Sequence, residues 1–207
     1  MLDNTFDSYA NDYVRGLNAC FRELSPAVLK RIVGILLSAQ QEGHTVFTLG
    51  NGGSASTASH MACDMGKGAS IPGKPRLRVI SLADNSAVLT AWANDSSYAV
   101  IFQEQLENLL RPGDVVIAIS ASGNSPNVLK AVEYAKAHGA LTIGFIGCGG
   151  GKLKEMVDLD VTVSSRNYGQ VEDLHLSLNH ILSQYLREQL SNSEVGADEI
   201  HLDASFV

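Results

Sequence analysis

Residues 45–66 of the 207-residue chain have the sequence TVFTLGNGGSASTASHMACDMG. A short apolar and β-branched run, Thr45–Leu49, leads into a glycine-rich turn and then into a helical pattern over Ala55–Gly66. The apolar run predicts a buried strand, because short runs of this kind are typical of parallel sheets. A strand, a tight turn and a helix in this order form the first half of a βαβ unit.

The same alternation of strand and helix continues along the chain. Further strands are predicted at Leu77–Leu82, Val115–Ser120, Leu141–Ile146 and Leu159–Val163. Helical patterns are found at Ser86–Trp92, Ile101–Leu110, Asn127–His138 and Val171–Leu190. Because alternating strands and helices imply right-handed crossovers, we predict an α/β fold whose doubly wound, parallel five-stranded sheet is covered by helices on both faces.

The chain before the first strand has a helical pattern that breaks near Glu23. Ser25 and Pro26 are the residues expected at the N-cap and the first turn of a second helix, and Gly43 is expected to end it. We predict one domain with N-terminal helices at about 5–42, an α/β core at about 44–190 and a polar tail at about 191–207.

The composition excludes several classes of protein. The residues are 45% hydrophobic and 18% charged, which rules out wholesale disorder, and the net charge of −7 disfavours capture of nucleic acid. No apolar run approaches the ~20 residues of a membrane span, and the N-terminus lacks a signal-peptide pattern. Cys20, Cys63 and Cys148 follow no disulfide or zinc-thiolate spacing. We expect a cytoplasmic protein that binds neither nucleic acid nor membranes.

The glycine turn, residues 50–55 (GNGGSA), is a candidate ligand site, because ligands of open parallel sheets bind beyond the carboxyl ends of the strands. Its glycines let backbone amides approach a ligand, and the following helix N-terminus favours anions. A dinucleotide fingerprint is a weaker interpretation, since the acidic residue expected about 20 positions later is missing. A phosphate loop of the Walker type lacks its lysine. A tight turn without a ligand is the remaining alternative to a cradle for a small anionic or polyhydroxylated molecule.

The serine turn, residues 120–127 (SASGNSPN), is a second candidate site. Ser125 and Pro126 predict the start of a helix with exposed amides. Ser120 and Ser122 add hydroxyls close to that start. A monophosphate held by hydroxyls and helix amides needs no cation, because each charge-assisted hydrogen bond is already strong. The alternative is a polar loop that only caps the helix.

Histidines and carboxylates recur on two of the predicted helices. His60 and Asp64 are four residues apart and therefore share a helix face. Glu172 and His180 differ by about 80° around the last helix, so both can face one centre, while His175 points further round. Imidazoles and carboxylates without cysteine suit Zn²⁺ or another borderline divalent ion. Structural or solvated histidines are the alternative.

Four stretches make the chain resemble the sugar isomerase (SIS) family and, within it, the phosphoheptose isomerases. They are GNGGSASTASHMACDM from Gly50, Ala93-Asn94-Asp95, SASGNSPNVLKA from Ser120 and VEDLHLSLNH from Val171. The resemblance extends to about Leu190. It implies interconversion of sedoheptulose 7-phosphate and D-glycero-D-manno-heptose 7-phosphate by a homotetramer with active sites shared between subunits.

The resemblance also implies the site residues. Zinc, one ion per subunit, would be held by His60, Asp64, Glu172 and His180. The implied substrate-binding residues are Asn51, Gly52, Gly53, Ser54, Asn94 and Asp95 near the sugar, Ser120, Ala121, Ser122 and Ser125 near the phosphate, and Glu172. The family often has glutamate where Asp64 stands and glutamine where Glu172 stands.

These residues suggest a mechanism and leave two alternatives. Asp64 or Glu172 is expected to move the proton between C1 and C2, with His180 as acid or base at the sugar oxygens. One alternative is a non-catalytic SIS protein that binds a sugar phosphate or a partner, like the relatives that assemble with replication-initiation proteins. The other is an isomerase of a different sugar phosphate. A pure binding module would have no need of the metal-binding residues.

Overall fold

The computed structural model of the protein describes residues 3–192. From position 193 onward, the predicted polar tail lies outside the described residues. The strands are β1 (Thr45–Gly50), β2 (Arg78–Ser81), β3 (Val115–Ser120), β4 (Leu141–Ile146) and β5 (Leu159–Thr162). All pairings are parallel and the order across the sheet is β2-β1-β3-β4-β5. The predicted α/β fold with a parallel five-stranded sheet is confirmed.

The helices are α1 (Asp3–Glu23), α2 (Pro26–Glu42), α3 (Gly53–Cys63), α4 (Ser86–Asp95), α5 (Gln103–Leu109), α6 (Pro126–Ala137), α7 (Gly151–Met156) and α8 (Tyr168–Asn192). A π-helical turn, Asp64–Gly68, continues α3, and a 3₁₀ turn, Tyr98–Val100, follows α4. Within the described range, none of these helices is both long enough and apolar enough to cross a membrane.

The N-terminal helices begin and end where the sequence predicts. The Ser25 hydroxyl accepts a hydrogen bond from the backbone N–H of Val28, and Pro26 occupies the first turn of α2. Gly43 closes α2 with φ of +75°, a left-handed conformation that glycine adopts without a steric penalty. The apolar stripe of α2 is buried against the sheet, with Ile32 and Leu36 fully covered.

Alternate residues of each central strand supply two cores, one on each face of the sheet. Val46 of β1 packs in the core that α2, α3 and α8 cover. Phe47 of the same strand packs on the other face, with Phe102, Leu106 and Val128. Each large apolar side chain buried in this way stabilises the fold by about 1.5–3 kcal/mol.

Strand β2 is the least buried of the described strands. Arg78 is exposed, and the side chain of Ile80 is 39% exposed. It lies at one edge of the sheet and, among the described strands, pairs only with β1. The short apolar run in the sequence does not distinguish an edge strand from a central one.

Two neighbouring strands bring the glycine turn and the serine turn to one edge of the sheet. β1 ends at Gly50 and β3 ends at Ser120, with Gly50 paired to Ile119. A side chain on Gly50 would collide with the Ile119 carbonyl and with Ser54, so the close approach of strand, turn and helix requires glycine here. Helix α8 packs across α3, the helix that begins at the glycine turn.

Candidate active site

His60, Asp64 and His180 meet in one cluster, which we call the donor cluster. His60 Nε2 and His180 Nε2 are 3.3 Å apart, although 120 positions separate them in the chain. The Asp64 Oδ2 atom lies 3.2 Å from His60 Nε2 and 3.6 Å from His180 Nε2. The structure thus brings three of the four predicted metal ligands to one centre.

Local structure explains how α3 and the π-helical turn present this cluster. On α3, Ala58 and Met61 pack into the core, so His60 lies on the solvent side of the helix. Asp64 is the first residue of the π-helical turn and is one helical turn beyond His60. The side chains of His60 and His180 are each 44% exposed and that of Asp64 is 25% exposed. The donor cluster is therefore open to solvent in this chain.

The spacing of the donor atoms fits a tetrahedral metal ion. Bonds of 2.0–2.1 Å to a tetrahedral zinc ion require neighbouring donor atoms about 3.4 Å apart. The three separations in the donor cluster are 3.2, 3.3 and 3.6 Å. All donor atoms of this group lie within 4.8 Å of one another. Two imidazoles and a carboxylate also leave one coordination position open, which is typical of catalytic rather than structural zinc sites.

Glu172, the predicted fourth ligand, is a residue of α8 whose carboxylate lies against the start of α3. A Cβ atom added to Gly53 would be 2.5 Å from Cδ and from both carboxylate oxygens of Glu172, so this carboxylate covers the first residue of the helix. Among the described residues, the group of potential metal ligands contains His60, Asp64 and His180 but not Glu172. Its assignment as a metal ligand stays a prediction, and its position suits a substrate contact at the glycine turn.

Asn179 is a member of the site that the sequence analysis missed. Its side chain is fully buried, and its Nδ2 donates a hydrogen bond of 2.8 Å to Asp64 Oδ2. A lone asparagine on an apolar helix face has no spacing signal that points to a distant carboxylate. Only its unexpected polarity at a position facing the core could have singled it out.

The side chain of Asn51, predicted to contact substrate, joins the glycine turn to α6. The amides of Asn51 and Asn127 donate to each other in two hydrogen bonds of 2.9 Å. The Tyr98 hydroxyl donates a third bond of 2.8 Å to Asn51 Oδ1. Most of the Asn51 amide is therefore committed to the scaffold. Neither Asn127 nor Tyr98 was predicted, since nothing in the sequence relates them to residues 50–55.

The other predicted residues around the glycine turn differ in exposure. Ser54 is buried on α3, whereas Asn94 and Asp95 are exposed at the end of α4. Asn94 Nδ2 donates to Asp95 Oδ1 at 2.8 Å. The segment that follows them reaches the glycine turn through Tyr98. Gly52 precedes α3 with φ of +57° and has no side chain to cap the helix, and the N–H groups of Ser54 and Ala55 donate to the carbonyls of Asn51 and Gly52.

The serine turn keeps its hydroxyl protons available. The Ser120 hydroxyl oxygen accepts from the Gly123 N–H at 3.1 Å, and that of Ser122 accepts from the Asn124 N–H at 3.2 Å. Each hydroxyl can still donate its own proton. Ser125 precedes α6 in the N-cap position but its side chain makes no capping bond. Ala121 is buried between these serines.

A third glycine-rich segment, residues 147–151, packs directly against the serine turn. A Cβ atom on Gly123 would be 2.0 Å from the Gly150 carbonyl oxygen, and Gly123 has φ of +63°, so both turns can touch only because this residue is glycine. The backbone N–H groups of Lys152 and Leu153 donate to Asn124 Oδ1 and to the Gly123 carbonyl. The conformation of the serine turn is thus fixed by its neighbour.

Comparison with known proteins agrees with this geometry. The SIS domain family matches residues 8–147. The chain belongs to the SIS domain family. Phosphoheptose isomerase of Rhodospirillum rubrum is 37% identical over 83% of this chain and 92% of its own length. That of Thermodesulfovibrio yellowstonii is 38% identical over 86% of this chain and 87% of its own length. Within the SIS domain family, these relatives relate the chain to the phosphoheptose isomerases, which are enzymes.

A solved structure extends the likeness to three dimensions. Phosphoheptose isomerase from Neisseria gonorrhoeae matches with a TM-score of 0.82 and 26% sequence identity. The match covers 91% of this chain and 100% of that protein. The likeness therefore includes the N-terminal helices as well as the sheet, as the sequence resemblance implied.

Proposed function

We propose that the protein is an aldose–ketose isomerase that converts sedoheptulose 7-phosphate to D-glycero-D-manno-heptose 7-phosphate. The observation that carries this proposal is the donor cluster. Its residues come from α8 and from the helical segment that begins at the glycine turn, and these two elements pack against each other. A module that only binds a sugar phosphate would not require two imidazoles and a carboxylate at metal-binding distances.

The phosphate of the substrate would bind at the serine turn. Ser120, Ser122 and Ser125 offer hydroxyl protons beside the start of α6, and the positive end of the helix dipole also favours an anion there. The sugar hydroxyls would lie near Gly52, Gly53 and the exposed pair Asn94 and Asp95. Binding energy from the phosphate would position the reacting carbons, which are remote from it.

Proton transfer between C1 and C2 would fall to a carboxylate. Asp64 Oδ2 is already engaged by Asn179 and lies against both histidines. Glu172 takes part in none of the hydrogen bonds or ion pairs observed among the described residues, and its carboxylate lies over Gly53. We therefore favour Glu172 as the proton shuttle, with Asp64 as the alternative, and His180 as the acid or base at the sugar oxygens.

The donor cluster would hold one zinc ion per subunit through His60, Asp64 and His180, with Glu172 as a candidate fourth ligand. The chemistry that zinc supplies when bound is polarisation of the substrate carbonyl oxygen as a Lewis acid. His60 would act only as a ligand, because its ring is directed at the other two donor atoms.

We further propose that residues 1–207 form one SIS domain and that the protein works in the cytoplasm as a homotetramer with shared active sites. Support for an oligomer comes from large apolar side chains left exposed on α1 and α8. They are Phe6, Tyr9, Val14, Ile181 and Tyr185. Light scattering of the purified protein measures its oligomeric state directly.

The test of the function is incubation of the zinc-loaded protein with sedoheptulose 7-phosphate, followed by NMR detection of the aldose product. We expect conversion by the wild type. We also expect Asp64→Asn and His180→Ala to abolish turnover while largely retaining binding of the sugar phosphate. His138→Ala is the matched control, because His138 is an exposed histidine at the end of α6 whose ring bonds to the Tyr134 carbonyl and stacks on the Tyr134 ring.

Three results would contradict the proposal in different ways. Binding of the sugar phosphate without conversion would favour the non-catalytic SIS protein. Conversion of a different sugar phosphate alone would keep the isomerase and change its substrate. Full activity of both site variants would overturn the assignment of catalytic residues.

A further inference from the structure

We propose that Asn179 is a positioning residue that fixes the carboxylate of Asp64 for metal binding. The inference concerns the donor cluster itself, and only its consequence for turnover rests on the proposed function. Asn179 does not touch the space between the donor atoms. It acts through Asp64.

The first observation is a direct bond from a fully buried donor. Asn179 Nδ2 lies 2.8 Å from Asp64 Oδ2, and the Asn179 side chain has no solvent exposure. The oxygen that accepts this bond is also the one that faces His60 Nε2 and His180 Nε2. The amide thus holds in place the one carboxylate oxygen that completes the cluster.

The orientation of the amide follows from charge. If the amide were rotated by half a turn, its oxygen would lie against the carboxylate oxygen of Asp64, and the two would repel. With the nitrogen toward Asp64, the bond is charge-assisted and therefore stronger than a neutral one. Asn179 is also the residue next to His180 on α8, so one helical segment supplies a donor atom and the residue that orients another.

The second observation is that Asn179 is a poor choice for stability alone. Its Oδ1 atom is buried and has no hydrogen-bond partner among the described residues. Such an acceptor loses its hydration without compensation, which disfavours folding. The neighbours of Asn179 on the buried face of α8 include Leu178 and Leu182, and leucine is the commonest residue of that face. The Asn179 side chain leaves Oδ1 without a hydrogen bond and uses Nδ2 to bond to Asp64. The orientation of the Asp64 carboxylate accounts for an asparagine at this position.

Asp64 has a particular need for such a support. It is the first residue of a π-helical turn, where the regular hydrogen-bond ladder of α3 gives way to a wider one. Its side chain is partly exposed and would otherwise be free to rotate toward solvent. Partners that orient a metal ligand in this way change metal affinity or activity by about 10- to 100-fold when they are removed.

The test compares Asn179→Leu with the wild type and with Asn108→Leu. Asn108 is a matched control, because it is an exposed asparagine of α5 whose amide donates only to the Glu104 carbonyl. Zinc affinity is measured by competition with a chromophoric chelator, and kcat and KM are measured with sedoheptulose 7-phosphate. Circular dichroism establishes that each variant is folded, and Asn179→Ala replaces the leucine variant if that one is not.

We expect Asn179→Leu to raise the zinc dissociation constant about 10- to 100-fold. We also expect kcat to fall while KM changes less than about twofold, since the observed hydrogen bond of the Asn179 side chain is to Asp64 and not to the serine turn that would bind the phosphate. Asn179→Asp should weaken zinc binding further, because it puts an acceptor against Asp64 in place of a donor. The Asn108→Leu control should match the wild type.

The outcomes separate this inference from the proposed function. A folded Asn179→Leu protein with the zinc affinity of the wild type overturns the inference, whatever the activity. A wild type that binds no zinc overturns it as well. Loss of zinc affinity in the variant, in a protein that does not convert the heptose phosphate, supports the role of Asn179 and overturns the function alone.

Discussion

At the scale of single residues, Gly53 and Glu172 depend on each other. The Glu172 carboxylate occupies the space that a side chain at position 53 would need. A helix wheel gives the direction of Glu172 around α8, but it does not show that the Glu172 carboxylate packs against Gly53 of another helix. This is why the sequence indicated a shared centre for Glu172 and His180, whereas the structure brings only His180 to the donor cluster.

Gly53→Ala is expected to lower activity with little effect on stability. The added methyl would push aside the end of a flexible side chain, and alanine favours the helix, so the free energy of unfolding should change by less than about 1 kcal/mol. Displacement of the Glu172 carboxylate should reduce kcat by about 10- to 100-fold. Enzyme assays and urea unfolding measure the two quantities.

Gly34→Ala is the control for this prediction. No atom of the described chain lies within 4 Å of a Cβ added to Gly34, which is inside α2. This variant should gain about 0.5–1 kcal/mol of stability and keep full activity. Equal activity of Gly53→Ala and Gly34→Ala would contradict a functional role for the position of Glu172.

At the scale of elements, the reciprocal amide pair of Asn51 and Asn127 ties the glycine turn to the start of α6. The two turns come from adjacent strands, so they would be neighbours without it. The two hydrogen bonds of this pair fix the distance between the part of the site that would hold the sugar and the part that would hold the phosphate. Tyr98 extends the same link to the segment that follows Asn94 and Asp95.

Asn127→Ala should loosen this link. It removes both bonds to Asn51 and the bond from the Val128 N–H to Asn127 Oδ1, from a residue that is 1% exposed. We expect a loss of about 1–3 kcal/mol of stability and a higher KM, because the two halves of the substrate site would no longer be held in register. Tyr98→Phe, which loses one exposed bond, should have a smaller effect on both. An unchanged KM in Asn127→Ala would show that the link is only structural.

The sequence predicted elements well where local rules decide them. β3 and β4 have the predicted bounds, since buried apolar runs of six residues end at turns with glycine or serine. The sequence predicted a single helix over Ala55–Gly66, and the structure has α3 followed by a π-helical turn. Helix α7 was not predicted, because six residues with three glycines before them carry no helical periodicity. The hydrogen bonds of Asn179 and Asn127 join residues that are far apart in the chain. They depend on tertiary packing, so the local sequence could not predict them.

At the scale of the whole molecule, one buried histidine is expected to make the stability of the fold depend on pH. His175 lies in the core with no solvent exposure, near the ring of Phe145, and neither ring nitrogen makes a hydrogen bond of normal geometry with any part of the chain that the structure describes. Burial lowers the pKa of His175 from 6.5 to about 4, and the nearby Ile146 backbone offsets only part of this effect. The folded protein therefore keeps this histidine neutral.

The stability of the protein should fall in acid because of His175. The unfolded chain binds a proton at this residue below pH 6.5, whereas the folded chain does so only below about pH 4. The contribution of a neutral His175 is thus complete above pH 6.5 and is lost as the pH falls toward 4, by about 3 kcal/mol in total.

Urea unfolding of the wild type and of His175→Leu between pH 7.5 and 4.5 checks this prediction. The leucine variant removes the titrating group and leaves an apolar side chain in an apolar core. Its stability relative to the wild type should rise as the pH is lowered. Parallel pH profiles for the two proteins would contradict the depressed pKa of His175.

The triangle formed by His60, Asp64 and His180 has a consequence for the binding of the proposed metal ion. The three donor atoms already lie at the separations that coordination requires, so loading would need little reorganisation. If the ion binds there, the melting temperature should rise with the metal concentration: at a hundred times the dissociation constant, the ion would add about 2.7 kcal/mol to the stability of the folded protein.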